Sequence, residues 1–146
     1  MKRRTGEPWM PADAYGRSLK GFGVNLIVRD VAKALGFYTQ VLGATKVYAD
    51  ADFAVLRLGL VEWMIHADHT YAKHPLFEAL RDDLPRGLGA ELRLHDADPD
   101  GCEARAHALG HTVLAASADK PHGLRECYLL DPDGYLWVPD APKAAS

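Results

Sequence analysis

The feature that most constrains what this 146-residue chain can fold into is an internal repeat. Phe22-Gly23-Val24-Asn25-Leu26-Ile27-Val28-Arg29-Asp30 stands against Leu88-Gly89-Ala90-Glu91-Leu92-Arg93-Leu94-His95-Asp96. A similar distance beyond each aspartate comes a Leu-Gly pair, Leu42-Gly43 and then Leu109-Gly110. Each half also closes on a tryptophan, in Glu62-Trp63-Met64 and in Leu136-Trp137-Val138. No one of these matches is persuasive alone; four of them in the same order are. A period of this size means repeated supersecondary units that bury their faces against one another.

Each unit reads as βαβββ. Val24, Leu26 and Val28 alternate with Asn25, Ile27 and Arg29, which is the period of a strand. Asp30 then sits where a helix N-cap belongs, and a helix over 31–42 puts Val31, Leu35, Tyr38 and Leu42 on one stripe. Gly43 follows in the position that ends helices. Three short strands are expected at about 44–49, 52–59 and 60–66. The chain divides into an arm (1–20), a first module (21–68), a linker (69–88), a second module (89–140) and a tail (141–146). The linker carries Pro75, Pro85 and Gly87, with a helical turn or two expected around Leu76–Leu80. The arm carries Pro8 and Pro11 and shows no periodicity, and Met10 is a second candidate for the natural start.

Composition narrows the function classes. Hydrophobic residues make up 48% and charged ones 25%, the balance of an ordinary folded domain, so disorder, collagen and coiled coil are excluded. A net charge of −3 argues against nucleic-acid or polybasic membrane binding, which need clustered positive charge. Cys102 and Cys127 form no CxxC motif and are expected as small buried residues in a reducing compartment. No apolar run approaches the length of a membrane span. Lys2-Arg3-Arg4 leads into Gly6, Glu7 and Pro8 rather than an apolar stretch, so no secretory signal is expected and the cytoplasm is the default location. No phosphate-binding glycine loop, nucleophile elbow or kinase signature is present.

Certain motifs carry a family resemblance. Val24-Asn25-Leu26-Ile27-Val28-Arg29-Asp30, then Phe37-Tyr38 and Val41-Leu42-Gly43, and finally Asp131-Pro132-Asp133-Gly134 before the last strand, resemble the vicinal oxygen chelate superfamily of glyoxalases, bleomycin-resistance proteins and extradiol dioxygenases. The resemblance implies an α+β fold of two tandem βαβββ modules forming a curled mixed sheet around a shared cavity. It also implies four metal-ligand positions, which fall here on Gly23, Met64, Gly89 and Val138. None is a hard-metal ligand, so the chain is most similar to the metal-free, bleomycin-resistance-like branch, with no cofactor expected. A homodimer binding a small molecule follows from the same likeness, while charge and the lack of an apolar span leave neither nucleic acid nor membrane as an expected partner.

Strand alternation then names the candidate site. Asn25, Glu62, His66 and Glu91 share a face with Met64 and Val138 if the register holds. His66 and Glu91 are the candidate acid-base pair. His122 and Arg125, in the loop before the Asp131 turn, are candidates for gripping an anionic ligand. The competing reading puts these charged groups at a solvated rim in pairs. Two alternatives stay open: a lyase, isomerase or dioxygenase using His66 with Glu91 or a displaced metal at His66, His69 and Glu91, and a partner-binding module whose cavity is closed. Trp63, Trp137 and Tyr38 are expected in the core beneath the helices.

Overall fold

A computed structural model describes residues 1–81 and 83–145. The element order is α1 (Ala12–Ser18), β1 (Asn25–Val28), α2 (Val31–Gln40), β2 (Thr45–Ala49), β3 (Phe53–Leu58) and β4 (Val61–Ala67), then β5 (Leu92–Leu94), α3 (Pro99–Ala108), β6 (Thr112–Asp119), β7 (Leu124–Leu130) and β8 (Leu136–Pro142). Two short 3₁₀ segments, Asp68–Tyr71 and Ala79–Arg81, lie between β4 and β5. This is the α+β arrangement of two tandem βαβββ modules. Each module forms its own four-stranded mixed sheet, in the orders β1-β4-β3-β2 and β5-β8-β7-β6. In both, the first strand runs parallel to the last and the rest are antiparallel. Among the described residues no helix is long and apolar enough to cross a membrane.

The chain divides into two compact units, one of residues 1–35 and 44–83, the other of 36–43 and 84–146. The second half of α2 therefore groups with the second module. Its residues explain why: Phe37, Tyr38 and Val41 are fully buried. Tyr38 packs its ring 5.2 Å from Trp137, Phe37 sits edge-on to His111 at 5.1 Å, and the Arg105 guanidinium donates to the Val41 carbonyl at 2.9 Å.

In the first unit the strand alternation holds. Leu26, Val28, Ala54, Leu56, Trp63, Ile65 and Ala67 are all buried, and cross-strand pairing places them on one face. Asp30 caps α2 as expected, its carboxylate accepting from the Lys33 amide at 3.0 Å. The second module departs from the repeat at the equivalent point. Asp96 adopts a left-handed backbone (φ 57°), and α3 begins later, with Asp98 as N-cap and Pro99 in the first turn. Proline there gives up an amide that no helix would use and presets φ.

The Asp131 turn organises the second unit. Asp131 is buried, and its carboxylate accepts from the Asp133 and Tyr135 amides (2.9 and 3.0 Å), the Tyr38 hydroxyl (2.8 Å) and the Trp137 indole (3.1 Å). Burial still raises its pKa, against the pull of those donors. Gly134 is required twice over. Its φ is 94°, and a Cβ there would come within 2.8 Å of the Pro85 backbone. Cys102 and Cys127 are buried free thiols, and burial pushes Cys127 up to about 12.

Candidate functional site

On the open face of the first sheet, pairing aligns Asn25 with Met64 and Val55, and His66 with Phe53. His66 Nδ1 lies 2.7 Å from Asn25 Oδ1, and Asn25 Nδ2 donates to the Tyr71 hydroxyl at 2.6 Å. Because the amide oxygen only accepts, this network assigns the imidazole proton to Nδ1 and leaves Nε2 as an acceptor. Burial holds the His66 pKa below the usual imidazole value, outweighing the Asp50 carboxylate, so the ring is neutral at pH 7.

Aromatic rings extend along this face. Phe53 lies 4.7 Å from His66, His66 lies 5.4 Å from Tyr71, and Tyr71 lies 5.0 Å from His74. The N-terminal arm folds back over the same surface. Trp9 stacks on Tyr48 at 5.7 Å, and Tyr15, from α1, meets Phe53 edge-on at 5.8 Å. What pins the arm is Asp52, 3% exposed, whose carboxylate accepts from the Arg3 and Arg4 amides at 2.7 and 3.2 Å and from His69 Nε2 at 2.7 Å. Burial alone would raise the Asp52 carboxyl; these donors outweigh it and hold it low.

Between arm and sheet lies a cavity of about 340 Å³, with Phe53, Met64 and His66 on the sheet side and Lys2, Arg4 and Trp9 on the arm side. A neighbouring cavity of about 420 Å³ shares Tyr15, Leu19 and Met64 and takes in Glu62. Glu62 itself is paired with Arg57 at 2.8 Å.

The second sheet carries a charged cluster on the face of Val138. Arg93, which pairs with Val138 in register, contacts three carboxylates: Glu91 at 3.0 Å, Asp140 at 3.0 Å, and Glu126. Glu126 and Asp140 are buried. Burial alone would raise the Glu126 carboxyl, but hydrogen bonds from Arg93 and Tyr128 hold it below the ordinary value. His95 Nδ1 lies 2.8 Å from Asp140, and His122 Nε2 lies 3.4 Å from Glu126.

The expected residues thus fall into two sets. Asn25, Glu62, Met64 and His66 lie on the first sheet, and Asn25 and His66 are directly bonded. Glu91, His122, Arg125 and Val138 belong to the second unit. Glu91 is bound to Arg93, and Val138 has no exposed surface. Arg125 closes its fork on Asp100 at 2.7 and 2.8 Å and reaches Asp119 at 3.2 Å. Strand alternation from Val138 reaches Asp140, and the same step from Glu91 reaches Arg93, but nothing in the sequence pairs either of them with Glu126. Sequence reasoning passed over Trp9, Tyr15 and Asp52, because the arm has no periodicity to place its rings.

The sequence model of the Glyoxalase/Bleomycin resistance protein/Dioxygenase superfamily matches residues 23–138. The chain belongs to that superfamily. Among solved structures it is similar to a glyoxalase/bleomycin resistance protein/dioxygenase from Nocardioides, at 22% identity and a TM-score of 0.64, covering 92% of this chain and 94% of that one. A family enzyme from Burkholderia phytofirmans PsJN is similar at 20% identity and TM-score 0.67, over 82% and 96% of the two chains. The fosfomycin resistance protein FosX from Listeria monocytogenes is similar at 18% and 0.60, over 86% and 95%. At these identities the likeness is one of fold. No curated protein matches the chain.

The family resemblance puts four metal-ligand positions of this chain at Gly23, Met64, Gly89 and Val138. Gly23 and Gly89 have no side chain, Met64 offers a soft thioether, and Val138 is a buried hydrocarbon. That set does not fit a hard divalent cation.

Proposed function

We propose that this protein is a cytoplasmic, homodimeric binder of a small organic molecule that works without the metal used by other members of its superfamily. The observation that carries the reading is the cavity between the arm and the first sheet, where mostly apolar and aromatic walls carry a few polar groups, among them Lys2, Arg4 and a His66 oriented by Asn25. Such a balance, mostly apolar with a few placed polar atoms, is the ordinary makeup of a small-molecule site. Asn25, Met64 and His66 are the proposed ligand-binding residues.

A second reading rests on the same histidine. With Nδ1 committed to Asn25, the neutral ring has a free lone pair at Nε2 and the geometry of an oriented general base, which supports metal-free proton transfer by a lyase or isomerase.

The experiment is metal analysis of untagged protein by mass spectrometry, combined with thermal-shift titration against divalent cations and a small-molecule library. Sub-stoichiometric metal, no cation-induced shift and a saturable shift with an organic compound are expected. Near-stoichiometric bound metal, or activity abolished by a chelator, overturns the metal-free reading.

A further inference from the structure

The arm lies outside the residues matched by the family, yet it supplies most of the cavity wall, so its chemistry speaks to what this particular chain accepts. The arm contributes two cations, Lys2 and Arg4, and an indole, Trp9. The sheet contributes Phe53, Met64 and the His66 ring. No carboxylate is among the described residues lining this cavity. Acids around the cavity already have partners: Asp52 accepts from the Arg3 and Arg4 amides and His69, Asp50 from the Tyr48 hydroxyl at 2.7 Å, and Glu62 pairs with Arg57 at 2.8 Å. Arg4 makes one long contact, 3.4 Å from Nε to the Gly6 carbonyl.

From this we infer that the cavity takes a planar aromatic anion, its ring between the arm and Phe53, its negative group toward Lys2 and Arg4, and a hydroxyl or N–H donor toward Nε2 of His66. The inference rests on the small-molecule reading above and names its ligand class. Each part has its own physical basis. Flat aromatic walls favour a planar ring over an aliphatic one of equal size. Guanidinium and ammonium groups in a described lining that holds no carboxylate favour an anion and repel a cation. A neutral imidazole with its proton on Nδ1 is an acceptor at Nε2 and rewards a donor. At about 340 Å³ the cavity suits a ligand of one or two fused rings, near the small end of ligand pockets.

The test is isothermal titration of the full chain with naphthoate and hydroxynaphthoate, beside neutral naphthylmethanol, cationic naphthylmethylammonium and the aliphatic anion cyclohexanecarboxylate. Naphthoate is expected to bind about tenfold more tightly than the neutral, cationic and aliphatic probes, with hydroxynaphthoate tighter still. The double variant Lys2→Ala/Arg4→Ala should remove most of the preference for the anion while leaving naphthylmethanol within about twofold of its original affinity. It should keep the same melting temperature, because the arm is pinned through the Arg3 and Arg4 main-chain amides rather than their side chains.

Equal affinity for naphthylmethylammonium, or an unchanged anion preference in the double variant, overturns the inference while small-molecule binding stands. If none of the probes binds, the inference falls. The library screen then decides the broader reading by itself.

Discussion

Asp131 shows how much one side chain can organise. Four donors converge on its buried carboxylate, two from the turn backbone and two from Tyr38 and Trp137. Aspartate at the head of this turn is thus as much a core residue as a turn former. Asp131→Asn replaces one acceptor oxygen with an NH₂ group facing donors, and the expected cost is about 2 kcal/mol in urea unfolding at neutral pH, with the sheet retained by circular dichroism. An unchanged midpoint would mean that Tyr38 and Trp137 are held by packing alone. His66 teaches a related lesson. Its place on the open face was readable from alternation, but its tautomer depends on Asn25 and its ring partners on Phe53 and Tyr71, which only the folded sheet brings to it.

Glycines separate the required backbone from the tolerated at the level of elements. Gly43 and Gly110 close α2 and α3 at φ 78° and 75°, where an L side chain meets its own carbonyl. Gly36 sits inside α2 with ordinary φ and no atom within 4 Å of where a Cβ would stand. Two substitutions of the same kind should therefore act in opposite directions. Gly110→Ala is expected to destabilise by about 1 kcal/mol, and Gly36→Ala to stabilise by up to about 1 kcal/mol, both measured as shifts in the urea midpoint. Destabilisation by Gly36→Ala would show that the helix surface there is closed to a methyl group. Element boundaries within the first module agree with the pattern to within a residue or two. The second module's helix starts late because Pro99, absent from the first copy, sets its own N-terminus.

For the whole molecule, several depressed groups make stability fall with acidification, with the raised Asp131 carboxyl acting in the opposite direction. His66, Asp52 and Glu126 all have folded pKa values below their ordinary ones, 6.5, 3.8 and 4.5 respectively. A depressed value means that protons bind the unfolded chain better. The stabilising contribution is thus complete above the ordinary value and is lost as pH falls through the folded one. Urea midpoints should accordingly be level just above pH 7, below the range where the raised Cys127 thiol enters, decline first on acidification as His66 titrates, and decline again below about pH 4.5 as Glu126 and then Asp52 accept protons. His66→Phe should remove the first decline and leave the second. A single acid transition in the parent protein would contradict this order.

The repeat, the strand and helix periods, and the capping aspartate and glycines were all determined by the sequence alone. They are local properties, written in spacing and residue type. The arm was not legible in this way. Trp9, Tyr15, Lys2 and Arg4 acquire a place only because Asp52, about fifty residues away, is buried beside Arg3 and Arg4 and binds their amides. The Arg93 cluster is a similar case, since Glu126 on β7, Asp140 on β8 and Glu91 just before β5 converge on it. Alternation can put such groups on one face, but which of them pair across the chain is not written in it, because the free energy of burial that joins them comes into being only once the sheets exist.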